Sequence, residues 1–287
     1  MARVAVGDLY VAVERFGDPG RPAILLVQGL AQQLIDWPRA LIEALAATHH
    51  VVVFDNRDTG LSAKFGPCRS DQEGEDTPYT LFDMAADTAG LIDALGLGRV
   101  DLLGYSMGGR IAQIVAARHP DRVRSLTCLM SSGGQAGVLA APHIREALGA
   151  ARPPELLRAP DIDLFTRQAA LFEGHAWVTP EAELRTRIAM AVARCYCPLG
   201  SARQIRAIGA AGDRSDLLRG IAAPTLFIHG FADPVVPVEA ATAGAALIPG
   251  ARIEVIAGLG HNLSGTAAAA VIPPLLAFLG GFEAAST

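Results

Sequence analysis

The feature that most constrains the fold of this chain is a serine enclosed by glycines between two segments of different hydrophobic pattern. Residues 100–103 form a short, mainly apolar run that predicts a buried strand, and residues 108–118 have the pattern of a helix. The intervening Gly-Tyr-Ser-Met-Gly-Gly, residues 104–109, has room only for a sharp turn, and glycine permits the close backbone approach that such a turn needs. The sequence therefore predicts Ser106 at the carboxyl end of a strand and at the start of a helix.

Strands and helices alternate on both sides of this turn. Short apolar runs predict strands at residues 11–16, 24–27, 51–54, 100–103, 125–129, 224–228 and 252–256. A helical period predicts helices at residues 80–95, 108–118 and 238–247, with a last helix interrupted near Pro273. Buried strands that alternate with helices are typical of parallel sheets. We therefore predict an α/β fold with a mostly parallel central sheet flanked by helices.

The alternation stops between residues 131 and 219, which we call the cap segment. Prolines punctuate this segment, and its best helical patterns lie at residues 169–172 and 181–195. A loop of this length without structure of its own would be unusual, so we predict an inserted helical cap that folds over the sheet. The predicted organisation is a first part of the α/β core (1–130), the cap (131–219) and a second part of the core (220–287).

The composition raises the question of a membrane, because 51% of the residues are hydrophobic and only 18% are charged. The longest uncharged stretch, residues 255–282, is interrupted by His261, Asn262 and the pair Pro273-Pro274, whereas a spanning helix needs about 20 mainly apolar residues. The formal net charge of −5 is opposite to the basic surface that nucleic-acid binding requires. We predict that the protein binds neither a membrane nor a nucleic acid, and the sequence does not indicate an oligomeric state.

The four cysteines show no pattern of a disulfide framework or of a metal site. They are Cys68, Cys128, Cys195 and Cys197, and the lone Cys-Tyr-Cys pair lacks the second pair that a zinc site would need. We predict free thiols, no metal and a cytoplasmic location.

A serine hydroxyl needs a neighbouring base to act as a nucleophile. The chain has seven histidines, and His261 is the best candidate because it lies in a glycine-containing loop after the strand predicted at 252–256. His229 ends the strand at 224–228, near the same sheet edge, and we interpret it as structural. The sequence therefore predicts that His261 reaches Ser106.

An acidic side chain must hold the other nitrogen of the imidazole. Asp233 follows the strand at 224–228 and precedes His261 by one predicted helix and one predicted strand. Asp213 and Asp216, at the edge of the cap segment, are less well placed rivals, and a simple turn role for Asp233 in its Asp-Pro pair is a further alternative. We predict a catalytic triad of Ser106, Asp233 and His261.

Acyl transfer also needs backbone donors for the oxyanion that forms in the transition state. One donor is expected to be the N–H of Met107, directly after the nucleophile. The other is expected in the loop after the strand at 24–27, where Gly29 leaves space and the Leu30 N–H is the candidate.

These residues together resemble a known family. The segment 104–109, Asp233 and Gly260-His261, in this order, resemble the α/β-hydrolase superfamily. Residues 54–62, Phe-Asp-Asn-Arg-Asp-Thr-Gly-Leu-Ser, are similar to the turn that this family usually writes as Asp-x-Arg-Gly-x-Gly-x-Ser. Together with Trp37-Pro38, this turn resembles the aclacinomycin methylesterase branch. The resemblance implies a hydrolase fold and a reaction that requires no cofactor.

Two departures limit what the resemblance implies. Members usually carry His-Gly in the oxyanion loop, and this chain has Gln28-Gly29, so the local hydrogen bonding is expected to differ. The nucleophile is a serine, which disfavours the haloalkane dehalogenase and epoxide hydrolase branches, because those enzymes use a carboxylate.

The function predicted from these residues is a serine carboxylic-ester hydrolase of the carboxylesterase type. It is expected to act on small-molecule esters that are neutral and fairly apolar, through an acyl-enzyme on Ser106. A perhydrolase, a lactonase, a carbon–carbon bond hydrolase and an acyltransferase of the same fold remain alternatives, because the pocket rather than the triad selects the bond and the acceptor. A non-enzymatic ligand receptor is a further alternative.

The substrate pocket is expected to combine core and cap residues. The predicted substrate contacts are Gly29, Tyr105, Leu139, Phe172 and Trp177. Other apolar side chains of the cap segment, among them Phe165 and Tyr196, are alternatives that could equally pack against one another. The arginines of the cap, Arg185, Arg187 and Arg194, are expected on solvated faces.

Overall fold

The centre of the molecule is an eight-stranded sheet. The computed structural model describes residues 1–70, 78–136, 144 and 154–283. Its strands are β1 (Ala2–Val6), β2 (Leu9–Phe16), β3 (Ala23–Val27), β4 (His50–Phe54), β5 (Val100–Tyr105), β6 (Val123–Leu129), β7 (Thr225–Gly230) and β8 (Arg252–Ile256). They lie in the order β1-β2-β4-β3-β5-β6-β7-β8, antiparallel where β2 pairs with β1 and β4 and parallel elsewhere. The mostly parallel α/β fold is confirmed.

Helices cover both faces of this sheet. In the described residues they are α1 (Arg39–Ala46), α2 (Leu81–Ala94), α3 (Met107–Arg118), α4 (Pro154–Arg158), α5 (Ile162–Ala170), α6 (Glu181–Arg194), α7 (Pro198–Ala210), α8 (Ser215–Arg219), α9 (Val238–Leu247) and α10 (Gly265–Glu283). Side chains of α2, α3 and α9 belong to one hydrophobic cluster, and those of α1 and α10 belong to the other.

The two clusters explain the continuous apolar strands. Along β4, Val52 and Phe54 belong to the first cluster, whereas Val51 and Val53 belong to the second. Successive strand side chains point to opposite faces, so a strand covered on both faces is apolar at most of its positions. The carboxyl ends of the parallel strands form one edge, and the residues that follow β3, β5, β7 and β8 meet there.

The cap segment contains helices α4–α8 and, among its described residues, no strand. The division of the chain at residues 131 and 219 stays a prediction. Leu139 lies outside the described residues.

Several elements differ from the sequence prediction; helix α1, for example, was not predicted. The edge strand β1 was not predicted, because its apolar run, Val4-Ala5-Val6, is only three residues long; its side chains are mostly exposed. Of the helix predicted at 169–172, only residues 169 and 170 are helical, and they end α5. This helix starts after Asp161, whose side chain accepts a hydrogen bond from the Leu164 N–H. The last helix, α10, continues through Pro273 and Pro274, and it buries apolar side chains on both sides of them, including Val271 and Leu275.

Two buried ion pairs connect the cap segment to the turn after β4. Arg194 of α6 pairs with Asp55, and Arg203 of α7 forms two hydrogen bonds of 2.8 Å with Asp58. The expectation that Arg194 is solvated is wrong, because its side chain is only 14% exposed and its partner is fully buried. Arg185, by contrast, is half exposed and pairs with Asp163 on the surface.

A disulfide also connects these two regions. Cys68, in the loop after the β4 turn, is bonded to Cys197, directly before α7, and the two Cα atoms are 4.2 Å apart. The prediction of free thiols is therefore wrong for this pair, whereas Cys128 and Cys195 are free. The pairing had no local sequence signal, since 129 residues separate the two cysteines and only the fold brings them together.

Within the described ranges, none of the helices combines the length and the hydropathy that a bilayer crossing requires.

Candidate active site

The turn between β5 and α3 holds Ser106 in a rare backbone conformation. Ser106 has φ 53° and ψ −117°, a left-handed conformation that few non-glycine residues adopt. A β-carbon on Gly104 would overlap the Gly108 carbonyl, and one on Gly108 would overlap the Val27 carbonyl. The two glycines therefore allow β5, α3 and β3 to approach closely, and the strain at Ser106 is held by a fully buried strand.

His261 and Asp233 complete a continuous hydrogen-bonded chain with this serine. The Nε2 atom of His261 lies 2.9 Å from the Oγ of Ser106, and its Nδ1 lies 2.7 Å from the Oδ2 of Asp233. All three residues follow parallel strands, β5, β7 and β8, at the same edge of the sheet. The structure thus brings together the three residues predicted as a triad, in the order and contacts that general-base catalysis needs.

Asp233 performs the turn role as well as facing the histidine. Its Oδ1 accepts hydrogen bonds from the N–H groups of Val235 and Val236 at 2.8 and 2.7 Å. Its Oδ2 remains for His261. The two sequence interpretations of Asp233 are therefore compatible, because each uses a different oxygen. The rivals Asp213 and Asp216 contact Ser215 and Arg219 instead.

His229 lies beside this acid without joining the chain to the serine. Its Nε2 donates to the Val236 carbonyl at 2.8 Å and lies 3.4 Å from the Asp233 Oδ2. Burial lowers the pKa of His229, which favours the neutral ring.

The loop after β3 lies directly against the nucleophile. A β-carbon on Gly29 would lie 3.3 Å from the Ser106 Cβ and 3.1 Å from the Tyr105 ring, so a side chain here would crowd the space between loop and serine. Leu30 follows on the wall of the cavity described below. The Met107 N–H belongs to the first turn of α3, where backbone donors have no partner within the helix. The Met107 N–H therefore lies directly after Ser106, and Leu30 lines the same cavity; their role as oxyanion donors stays a prediction.

Gln28, the departure from the family pattern, is buried and shapes this loop. Its side-chain Nε2 donates to the Gln33 carbonyl at 3.2 Å, and its backbone carbonyl accepts from the Asn56 Nδ2 at 3.0 Å. The side chain and the backbone of Gln28 therefore connect the loop to Gln33 and to Asn56.

A cavity of about 480 Å³ opens over Ser106 and His261. Its wall is mainly apolar, and the cap segment contributes Leu156, Phe165, Phe172, Leu184, Val192 and Tyr196. Of the predicted substrate contacts, Tyr105 and Phe172 line the cavity, and Gly29 lies beneath it at the serine. Trp177 is not part of the described lining, because its indole packs on the β8 side and donates to the Ala257 carbonyl.

Sequence reasoning missed the polar part of this wall. Arg187 and Glu173 line the cavity, and one Arg187 nitrogen donates to the Asp36 carbonyl at 3.2 Å. Arg187 is therefore half-buried on the cavity wall, whereas a solvated face was expected. Helical spacing gave a usable signal, since Leu184, Arg187 and Ala191 are three and four residues apart and share the face of α6 that lines the cavity.

Comparisons with known proteins agree with this geometry. The family model of the alpha/beta hydrolase fold matches residues 22–268. Rhodomycin D methylesterase DauP from a Streptomyces species is 28% identical, over 87% of this chain and 88% of its own. The predicted resemblance to the methylesterase branch is therefore confirmed. The putative carbamate hydrolase RutD of Azorhizobium caulinodans is 30% identical over 96% of both chains.

A solved structure agrees with the fold. The enol-lactonase from Burkholderia xenovorans superposes with a TM-score of 0.78 at 23% identity, over 97% of this chain and 99% of its own. The family match extends over most of the sequence and includes the strands that carry Ser106, Asp233 and His261. The chain therefore belongs to the α/β-hydrolase fold family.

Proposed function

We propose that this protein is a serine carboxylic-ester hydrolase that needs no cofactor. The observation that carries the proposal is the hydrogen-bonded chain from Ser106 through His261 to Asp233 at the base of a mainly apolar cavity. A nucleophile, a base and an orienting acid in contact are the geometric signature of acyl transfer.

Acylation follows from this arrangement. The Ser106 Oγ attacks the ester carbonyl while His261 Nε2 takes its proton, and Asp233 stabilises the imidazolium that forms. The N–H groups of Leu30 and Met107 donate to the tetrahedral oxyanion. His261 then protonates the alkoxide oxygen as the carbon–oxygen bond breaks, so the alcohol leaves and the acyl group remains on Ser106.

Deacylation uses the same groups in reverse. His261 takes a proton from a water molecule, whose oxygen attacks the acyl carbonyl. The second tetrahedral intermediate is held by the same two N–H groups and collapses when His261 returns the proton to Ser106 Oγ. The products are a carboxylic acid and the free serine.

The cavity wall supports neutral, fairly apolar esters as the substrate class. Aromatic and aliphatic side chains of the cap segment, such as Phe165, Phe172 and Leu184, form most of the cap side. Glu173, the anionic side chain of the described lining, already accepts three hydrogen bonds from protein groups. Apolar acyl or alcohol groups gain free energy in proportion to the apolar area that they bury here.

The identity of the nucleophile is tested by replacing Ser106. Ser106→Ala is expected to lower kcat for short-chain p-nitrophenyl esters by at least about 10³-fold. A fluorophosphonate should add one adduct to the wild-type protein, located by peptide mass spectrometry on Ser106, and none to the variant. Ser215→Ala, at the start of α8, is the matched control and should react like the wild type. Equal turnover by Ser106→Ala would contradict the proposal.

The substrate class is tested with matched esters. Dimethyl and monomethyl esters of one dicarboxylic acid differ only by a charged carboxylate, and the neutral diester should have the higher kcat/KM. A preference for the monoacid would show that Arg187 rather than the apolar wall governs selection, and the neutral-substrate proposal would be wrong.

Carbamate hydrolysis is a second candidate. It is favoured by the 30% identity, over 96% of both chains, to a protein named a putative carbamate hydrolase. The same triad can attack a carbamate carbonyl. An ester and a carbamate of the same alcohol, compared by kcat/KM, decide between the two activities, and a higher value for the carbamate would displace the ester proposal.

A further inference from the structure

The backbone of His261 is held from two sides, and one of them belongs to the cap segment. The His261 N–H donates to the Phe172 carbonyl at 2.7 Å, just beyond the end of α5. The His261 carbonyl accepts from the Tyr105 hydroxyl at 2.9 Å, next to the nucleophile. The histidine is therefore fixed between the serine turn and the cap segment.

The residue after the histidine makes a second connection to the cap segment. The Asn262 Nδ2 donates to the Glu173 Oε2 at 2.7 Å and to the Trp177 carbonyl at 3.0 Å. Asn262 is buried, so its amide depends on these protein partners. We call Phe172, Glu173, Trp177, Thr179 and Asn262 the histidine clamp.

Glu173 is the centre of this clamp. Its carboxylate accepts from the Thr179 N–H at 2.8 Å and from the Thr179 hydroxyl at 2.7 Å, in addition to Asn262. Hydrogen bonds to an ionised acceptor are roughly twice as strong as those between neutral groups. One side chain therefore joins the segment before α6 to the histidine loop.

Backbone contacts show how tightly the two segments are packed. The N–H groups of His175 and Ala176 both donate to the Gly258 carbonyl, at 3.0 and 3.2 Å. A β-carbon on Gly260 would overlap the Phe172 carbonyl and the Gly174 nitrogen. The two backbones thus lie in direct contact beside the catalytic histidine.

We propose that Glu173 is a positioning residue for the hydrolytic reaction: through Asn262 and the neighbouring Phe172 carbonyl it holds the His261 loop where Nε2 reaches Ser106. The inference rests on the proposed function of the triad. Asp233 fixes the direction of the imidazole, whereas the clamp fixes the position of the loop that carries it. A displacement of about 1 Å in a reacting group can cost 10²-fold in rate.

The position of Glu173 on the cavity wall allows a rival role as a substrate-binding residue. The two roles differ in kinetics, because removing an interaction that is equally strong in the ground state and the transition state raises KM with kcat unchanged. A misplaced base lowers kcat and leaves KM nearly unchanged. The ratio of the two effects therefore identifies the role.

The first experiment compares Glu173→Ala and Glu173→Gln with the wild type on a p-nitrophenyl ester. We expect Glu173→Ala to lower kcat about 10- to 100-fold with KM within about threefold. Glu173→Gln should lie between, because its amide retains one acceptor oxygen. Glu181→Gln, on an exposed residue at the start of α6, is the matched control and should keep the wild-type values. The kcat–pH profile of Glu173→Ala should keep its shape at reduced height.

The second experiment measures phosphonylation of Ser106 by a fluorophosphonate, which does not depend on the choice of ester. The rate should fall in Glu173→Ala by the same factor as kcat, and Asn262→Ala should reproduce the loss from the other side of the clamp. Asn262→Ala also tests the positioning role if Glu173→Ala does not fold.

Wild-type rates in folded Glu173→Ala or Asn262→Ala, or a loss entirely in KM, would overturn the positioning role. A wild-type protein that neither labels nor hydrolyses esters would overturn the proposed function, which is a distinguishable result.

Discussion

The two sides of the cavity are built in different ways. On the sheet side, Ser106 and Asp233 follow β5 and β7, strands in which every residue is buried. On the cap side, α6 contributes several wall residues but buries only Leu184 among its fourteen residues. The sheet side is therefore fixed by hydrophobic burial. On the cap side, α6 depends mainly on polar connections such as the Arg194–Asp55 pair, and α7 also buries Ala207 and Ile208 in the first hydrophobic cluster.

This difference places the catalytic groups on the sheet side and the residues that select the substrate on the cap side. The groups that transfer protons follow buried strands of the sheet, where close packing tolerates little change in their geometry. The cap side can vary its wall residues at low cost as long as its connections to the β4 turn and to the histidine loop remain. Substitutions on the sheet side or in the histidine clamp should therefore change kcat, and substitutions elsewhere on the cap side should change stability or KM.

The largest effect is expected on the sheet side, for Asp233→Asn. The change keeps the shape of the side chain but removes the charge that stabilises the imidazolium, so kcat should fall about 10⁴-fold. Steady-state kinetics with an activated ester measure it. Asp216→Asn, on an exposed acid that the sequence leaves as a rival, should keep kcat unchanged. A similar loss in both variants would contradict the assignment of the acid.

The next effect concerns the connection between Asp58 and Arg203. Asp58→Asn leaves the buried guanidinium without its countercharge, so the free energy of unfolding at pH 7 should fall by about 3 to 5 kcal/mol. Urea titrations measure this loss. Asp93→Asn, which breaks the more exposed pair with Arg122, is the control and should cost less than about 1 kcal/mol.

The same pair has a defined pH dependence. Burial acts to raise the pKa of Asp58, but hydrogen bonds from Arg203, the Phe65 N–H and Tyr79 outweigh it and hold that pKa below its usual value. A lowered pKa stabilises the fold above about pH 4, the value in unfolded chains, and this contribution is lost as the pH falls through the folded-state pKa. The difference in unfolding free energy between wild type and Asp58→Asn should therefore shrink below about pH 4. A difference that grows in acid would contradict the assignment.

A smaller stability effect is expected for the disulfide. Cys68→Ser removes the covalent connection, and the free energy of unfolding should fall by about 2 to 4 kcal/mol. Chemical denaturation with and without a thiol reductant measures it, and the reductant should destabilise the wild type but not the variant. Equal stability of oxidised and reduced wild type would show that this connection does not support the cap side.

The smallest effect is expected on the cavity wall, for Phe172→Ala. The change removes the ring but keeps the backbone carbonyl that accepts from His261, so kcat should stay within about threefold. KM for esters with a large apolar group should rise about 5- to 10-fold, because one aromatic contact is worth roughly 1 to 1.5 kcal/mol. Leu171→Ala, on the exposed neighbour, is the control. A collapse of kcat would show that the ring, too, positions the histidine.

The sheet side could be predicted in detail because its signals are local. Burial on both faces gives continuous apolar strands, and the predicted bounds of α9 and β8 are those of the structure. The edges of this sheet then determine where Asp233 and His261 lie. The exposed strand β1 was missed because its pattern carries no burial signal.

The cap side could not be predicted in the same way because its determinants are distant in sequence. Cys68 and Cys197, or Arg194 and Asp55, become neighbours only when the chain has folded. Arginine is a residue type usually found on the surface, and only the position of Arg187 on the same face of α6 as Leu184 indicates that it lines the cavity. Long-range pairs of this kind leave no periodic pattern in a single sequence.

The Cys68–Cys197 bond divides the chain topologically into a covalent ring and two tails. Ser106 belongs to the ring, whereas Asp233 and His261 lie on the carboxyl-terminal tail. A single protease cut inside the ring leaves one covalent molecule, which separates into two bands in electrophoresis only after reduction. A cut between residues 197 and 233 instead removes the covalent connection between the nucleophile and the acid and base. Only non-covalent packing then joins them.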